Sequence, residues 1–249
     1  MMAGIVEVIE SPPSAPATPS SEPQDSDAAA PRRRQARKRP SGRRLFAFDR
    51  SLGNRHVVGA DEAGRGCLAG PLVAAAVRFD YERLSLADLR ALSALNDSKQ
   101  HTLEGREALF PRVLAAAAHV AVTTRCVRGI DARGLHRTNL DALSEVLRRA
   151  ACRGSLCLSD GFPVPATGFE QRAVVGGDAR SAAIAAASVV AKVTRDRFMR
   201  RMAERYPGWD FEVHVGYSTP DHRAAIERQG ISPLHRLSFQ SVAYQQLAL

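Results

Sequence analysis

Three apolar runs of strand length in this chain each lead to an acid set beside glycine, and that repetition restricts the fold more than any other feature. His56-Val57-Val58-Gly59-Ala60 leads into Asp61-Glu62-Ala63-Gly64-Arg65-Gly66; Ser155-Leu156-Cys157-Leu158 leads into Ser159-Asp160-Gly161; Arg172-Ala173-Val174-Val175 leads into Gly176-Gly177-Asp178. Short apolar runs closed by turn residues mark buried strands. Ends of parallel strands are neighbours in space, so Asp61, Glu62, Asp160 and Asp178 are expected to gather at one end of a sheet. Carboxylates are costly to desolvate: one that faces the interior calls for a cation or a proton, and one that faces water calls for neither.

The rest of the chain supplies the sheet and its helices. Leu72 to Phe79 reads as a second strand, and the alternation over Val120 to Val127 as another. A helix is expected to start near His101, with Pro111 kinking or restarting it. Leu140, Leu143 and Leu147 recur at helical spacing, which predicts one long amphipathic helix over Ile130 to Ala150. Ser181 to Tyr206 reads as a long helix whose alanine-rich first half lets its backbone lie close to a sheet. A last helix runs from Asp221 to Gln229 and is closed by Gly230. The class is α/β.

A chain of 249 residues with 45% hydrophobic content can bury a real core. Its formal charge of +9 points to a polyanionic partner, nucleic acid or an anionic membrane surface. No segment approaches the roughly 20 apolar residues that spanning a bilayer needs. Glu7 and Glu10 stand where a secretory signal would be basic, so a cytoplasmic location is the default. Cys67, Cys126, Cys152 and Cys157 form no C-x-x-C pair and are expected to be reduced, buried and structural rather than, with His136, a zinc site. Residues 1–44 are expected to be a disordered tail, rich in Pro, Ser and Ala and then basic: Arg32 to Arg44 holds eight basic residues and no acid. The folded domain is then 45–249.

All-oxygen ligation by acids suits a hard cation, magnesium or manganese, more than zinc. Two such ions about 4 Å apart can activate a water and stabilise the leaving oxygen of a phosphodiester. Asp61 and Glu62 are consecutive, however, and share a site only if the strand ends or twists between them; otherwise Glu62 offers its main-chain carbonyl. Gly64 and Gly66 flank Arg65 with residues that accept positive φ and let a ligand approach the main chain. Lys99, in Asn96-Asp97-Ser98-Lys99, is a phosphate contact at a helix start or part of a plain cap. Ser188 and Lys192 share a helix face that can reach the acids, Lys192 also fitting a surface or supporting place. Asp196 and Arg200 have ion-pair spacing. Tyr217 can stack on a sugar or base, or sit half-buried in the core.

These motifs, with Ile184-Ala185-Ala186-Ala187-Ser188, Ala191-Lys192-Val193-Thr194-Arg195-Asp196, Gly216-Tyr217 and His235-Arg236-Leu237-Ser238-Phe239, run in one order over about residues 55 to 240, and the chain resembles a bacterial ribonuclease HII. The resemblance implies a ribonuclease H-like mixed five-stranded sheet flanked by helices, with a helical C-terminal extension. It implies a monomeric, Mg2+- or Mn2+-dependent endonuclease cutting the RNA strand of RNA–DNA hybrids. Single ribonucleotides in duplex DNA would be cut too, leaving 5′-phosphate and 3′-hydroxyl ends, as in ribonucleotide excision repair. Asp61, Glu62, Asp160 and Asp178 match the family's metal-binding acids. Gly64, Arg65 and Gly66 match its 2′-OH-sensing loop and Tyr217 its stacking tyrosine, while Lys99 and Lys192 would assist phosphate binding. Val215 departs from the pattern, since many relatives carry lysine there, and its loss of charge would weaken a backbone contact.

Overall fold

The computed structural model describes residues 42–95 and 101–239. Expectations for residues 1–41 and for Asn96-Asp97-Ser98-Lys99, Lys99 included, lie outside them. Among the described residues the strands are β1 (His56–Ala63), β2 (Leu72–Asp80), β3 (His119–Arg125), β4 (Ser155–Asp160) and β5 (Glu170–Val174). They form one sheet in the order β3-β2-β1-β4-β5. β2 runs antiparallel to β1 and β3, whereas β4 is parallel to β1 and β5, so the sheet is mixed.

Helices cover both faces, which is why the central strands read as unbroken apolar runs. Val57, Val77, Phe79, Leu156 and Leu158 point to one side, into a core shared with α1 (Gly42–Ser51), α3 (Leu103–Ala116) and the long α6 (Ala182–Arg205). The alternate residues Val58, Ala60, Ala74, Ala76 and Cys157 point to the other, against Leu143, Val146 and Leu147 of α5 (Leu135–Ala150). The short α2 (Leu86–Ala91) follows β2 and is started by a capping box between Ser85 and Asp88.

α6 lies unusually near the sheet. A Cβ on Gly59 of β1 would fall 2.1 Å from the carbonyl carbon of Ala183, so only glycine there and alanine opposite allow the approach. The start of α6 is fixed twice: Ser181 accepts from the Ile184 N–H at 3.2 Å, and Asp49 of α1 accepts from the Ala183 N–H at 2.9 Å. Two and three turns on, this start sets Ser188 and Lys192. Beyond α6, α7 (Phe211–His214) and α8 (Pro220–Gln229) form a helical C-terminal region, where Phe211 and Val215 pack with Ala69 and Met199 in a small separate core. No helix among the described residues is long and apolar enough to cross a membrane.

Four local expectations need correction. The helix expected over Ile130 to Ala150 is two, α4 (Val127–Arg133) and α5, because Gly134 between them holds φ +78 and ψ 148, outside helical space. The strand expected to reach Val127 stops at Arg125, because Cys126 (φ -71, ψ 161) is the N-cap of α4 and Val127 is already its first helical residue. Pro111 does not restart α3, which runs through it; the proline is exposed while Leu109 and Val113 anchor the helix in the core. Of the four cysteines, all free, Cys67 and Cys157 are buried, but Cys126 is exposed where it precedes α4.

Candidate active site

β1 stays paired with β2 as far as Ala63 and Val73, but its parallel pairing with β4 stops at Ala60 and Ser159. The next residue on each strand is an acid. Asp61 and Asp160 therefore stand side by side where the pairing between β1 and β4 gives out, each still paired on its outer side, Asp61 with Ala75 of β2 and Asp160 with Val174 of β5. Alternation sends Asp61 to the same face as Val57, and Asp160 to that of Leu156 and Leu158, so both point toward α6.

Asp61 is 9% exposed; its Oδ1 accepts from the Glu62 N–H at 2.8 Å, and Ser188 of α6 also hydrogen-bonds it. Burial first, then the Glu62 charge and more weakly Asp160, push its carboxyl up to about 8 against those bonds. A buried acid so placed favours a proton at neutral pH unless a cation takes the proton's place. Asp160 Oδ1 accepts from the Gly177 N–H at 2.7 Å. Gly177 has no room for a side chain, since a Cβ would meet the Ile184 Cδ1 at 2.5 Å and Asp160 Oδ1 at 3.3 Å.

Glu62 points the other way. β1 does not end between the two acids, and the Glu62 carboxylate lies 3.6 Å from the Arg65 guanidinium. Asp178, expected at a strand end, is instead buried in a 3-10 turn (Gly177–Ala179), four residues past the end of β5 and next to the N–H that holds Asp160.

The loop after β1 is built on buried arginines. Gly64 holds φ +92, and a Cβ there would lie 2.1 Å from Arg195 Nε and 2.7 Å from the Pro71 carbonyl. Gly66, by contrast, has no positive φ, and a Cβ on it would meet nothing within 4 Å: of the two flanking glycines only Gly64 needs the left-handed region. Arg195 is 0% exposed and donates to the carbonyls of Pro71, Ala69 and Val215 at 2.8–2.9 Å. Arg236, equally buried, donates to the Gly70 carbonyl at 2.9 and 3.0 Å and to that of Arg65 at 3.2 Å. The Leu68 N–H reaches the Gly216 carbonyl at 2.9 Å, and Cys67 bridges to Tyr217. The Arg65 loop and the Tyr217 loop are thereby one body.

A cavity of about 350 Å³ opens between these parts. Asp61, Glu62, Gly64, Arg65, Gly66, Asp160, Lys192 and Tyr217 all line it, with Ser188 among them; Asp178 does not. Lys192 Nζ lies 4.7 Å from the centre of the Tyr217 ring and donates to Asp196 Oδ1 at 2.7 Å. The expected pairing of Asp196 with Arg200 is replaced by this bond and by Arg106 at 3.8 Å, because Asp196 faces inward while Arg200 turns to Glu107. Tyr217 is 36% exposed, and burial of the remainder pushes its phenol up to about 12. Val215, where the resemblance led us to look for a weakened contact, is buried at φ +45 with its carbonyl on Arg195. Phe162, under the Arg65 guanidinium at 5.6 Å, and the buried Arg195 and Arg236 escaped the sequence reading as parts of the site. Among the described residues no three His, Cys, Asp or Glu side chains stand close enough to form a ready-made metal cage.

The mixed sheet, its flanking helices and its helical C-terminal region put the chain in the ribonuclease H-like class of folds. The same fold is found in ribonuclease H2 from Pyrococcus horikoshii, with a TM-score of 0.64 at 25% identity, over 77% of this chain and 96% of that one. Bst-RNase HIII in complex with Mn2+ shares it at 19% identity, with a TM-score of 0.61, over 81% of this chain and 72% of that one. In sequence, the chain is 47% identical over 199 residues to the ribonuclease HII of Rhizobium johnstonii, covering 79% of this chain and 83% of the relative. The family model described as Ribonuclease HII matches residues 58–242. The chain belongs to the ribonuclease HII family and is an endoribonuclease.

Proposed function

We propose that this enzyme cuts the RNA strand of RNA–DNA hybrids, and also single ribonucleotides embedded in duplex DNA, with divalent metal ions held by Asp61, Glu62 and Asp160 and supported by Asp178. The observation that carries the reading is the emergence of Asp61 and Asp160 side by side into the cavity that Arg65 and Tyr217 also line.

The donor set fits a hard cation. It is all oxygen: the Asp61 and Asp160 carboxylates together with Glu62, which offers its main-chain carbonyl because β1 does not end between the two acids. The raised Asp61 carboxyl is a buried acid in need of positive charge. A complete cage is not required, since magnesium keeps several waters and is held through one or two carboxylates together with substrate phosphates. When bound, such ions supply an activated water and charge stabilisation at the leaving oxygen, consistent with 5′-phosphate and 3′-hydroxyl products. Magnesium and manganese both suit these donors, and the manganese complex of the HIII relative makes manganese a natural probe.

The chain's own groups do the rest. Asp160 is held in place by the Gly177 N–H, and Ser188 holds Asp61. Arg65 and the open main chain at Gly66 meet the ribose 2′-OH, the group that distinguishes RNA from DNA. Tyr217 stacks on the ribonucleotide from the other loop. Lys192, held against Tyr217 and Asp196, brings positive charge toward phosphate, and Lys99 is proposed to do likewise. Asp178, outside the cavity lining, acts from beside the Gly177 N–H that holds Asp160.

The test is cleavage of a duplex bearing one ribonucleotide against its all-DNA twin. Cleavage only at the ribonucleotide is expected, with Asp61→Asn and Asp160→Asn abolishing it while hybrid binding persists. Equal cleavage of both duplexes would overturn the substrate assignment, and undiminished turnover in the variants would overturn the catalytic one.

A further inference from the structure

Three buried histidines pack around the Tyr217 loop: His214 from α7, His222 from α8, and His235 from the segment that follows. His214 and His222 stack with ring centres 4.1 Å apart, and Phe211 presents an edge-on ring to both. No proposed step uses them, yet their ring nitrogens are engaged in a directed way.

The direction follows from the main-chain donors. Three Ser232 groups lie near His235 Nδ1: the N–H and the hydroxyl, each at 2.8 Å, and the carbonyl at 3.3 Å. The N–H can only donate and is closer than the carbonyl, so that nitrogen accepts and the neutral ring carries its proton on Nε2, the tautomer that the accept-only Tyr217 carbonyl at the far end of the chain also demands. His235 Nε2 is 3.1 Å from His222 Nε2, which must then accept, leaving the His222 proton on Nδ1. His222 Nδ1 lies 2.9 Å from the Tyr217 carbonyl, which can only accept. Ser232, His235, His222 and Tyr217 thus form one chain of donors and acceptors with a single consistent direction. A second ring does the same next door: the Gly216 N–H donates to His214 Nδ1 at 3.1 Å, and His214 Nε2 donates to the Trp209 carbonyl at 2.6 Å. Two adjoining main-chain groups, the Gly216 N–H and the Tyr217 carbonyl, are therefore held by imidazoles in fixed tautomers.

Tyr217 needs such support. It is exposed, and its loop takes the left-handed region at Val215, φ +45, a costly conformation for a β-branched residue, before Gly216, φ +87, where glycine adopts it freely. Backbone in such conformations persists only where its surroundings over-determine it. Burial lowers the proton affinity of both His222 and His235, to about 4, which keeps both rings neutral at physiological pH and the chain of bonds intact.

We infer that His222 and His235 are positioning residues for substrate selection, fixing the Tyr217 main chain so that its ring meets the ribonucleotide. This rests on the reading of Tyr217 as the stacking residue. His222 touches neither substrate nor acids in this account and acts through the Tyr217 carbonyl alone.

The experiment compares His222→Leu, which removes the donor, with His222→Asn, whose amide N–H can stand where Nδ1–H stood. Steady-state cleavage of a duplex carrying one ribonucleotide gives KM and kcat separately. His222→Leu should raise KM about tenfold with a smaller change in kcat, the scale of one lost buried hydrogen bond, and His222→Asn should recover most of the loss. An unchanged KM in a folded His222→Leu, or a loss that His222→Asn does not relieve, would overturn the inference. Tyr217→Ala separates the two layers: unaltered KM and ribonucleotide preference there would overturn the Tyr217 reading itself, whereas loss there with none in His222→Leu would overturn only the positioning role. A measurement on the unaltered protein guards against misfolded variants. Nitrogen-15 spectra of the imidazoles should show His222 protonated on Nδ1 and His235 on Nε2, and the opposite tautomers would contradict the relay.

Discussion

Arg195 shows how much of the site rests on a residue that touches no substrate. Its guanidinium, with no exposed surface, binds three main-chain carbonyls on two loops and leaves Gly64 no room for a side chain. Arg195→Met should therefore cost about 3–5 kcal/mol in a denaturant titration, since it strands buried carbonyls as well as removing a charge. Gly64→Ala should cost at least about 1–3 kcal/mol from backbone strain, before the clash with Arg195 is added. The two kinds of residue differ in legibility. Asp61, Glu62 and Asp160 stand out in the sequence because an acid directly after an apolar run is locally conspicuous. Arg195 lies between Thr194 and Asp196 in a helix that continues into Arg197, Arg200 and Arg201, and its partners Pro71 and Ala69 are 124 and 126 residues away. Nothing local separates a buried fork from a surface charge.

At the scale of elements, the contact of α6 with β1 brings Ser188 and Lys192 to the acids. Gly59→Ala would drive a Cβ into the Ala183 main chain, so it should unfold or strongly destabilise the protein, and any folded fraction should have lost cleavage. A Gly59→Ala protein with normal melting and activity would show that the helix is not so tightly seated. The histidines give a pH signature. With His222 and His235 held near 4 in the folded state, against 6.5 ordinarily, the unfolded chain takes up protons first on acidification. Their contribution to stability is intact above about pH 6.5 and is lost as pH falls toward 4. Chemical denaturation across that window should show the loss, and His222→Leu should make it shallower. Strands β1, β2 and β4 were legible because burial on both faces makes them unbroken apolar runs. The split of α4 from α5 was not, because the leucine periodicity of α5 carries the eye past Gly134, whose backbone angles alone break the helix.

For the whole molecule, the formal charge of +9 is the broadest statement of its partner. Removal of residues 1–41, which precede α1, should keep cleavage of the ribonucleotide duplex while lowering the slope of log affinity against log salt. An inactive truncation would contradict the view of that segment as an accessory for nucleic-acid binding. The order of strands was not legible in the sequence, because alternation fixes which face a side chain takes but not which strands are neighbours; the mixed five-stranded sheet itself came from the resemblance. That Asp178 would sit in a turn outside the cavity lining was equally hidden, since it depends on how Gly176 and Gly177 redirect the chain after β5. Asp61 and Asp160 are proposed to share divalent ions, and anomalous scattering from crystals grown with Mn2+ tests this most directly. Manganese should appear between the two carboxylates, about 2 Å from their oxygens, and vanish in Asp61→Asn. Manganese absent from that gap in an enzyme that still cleaves, or present undiminished in the variant, would contradict it.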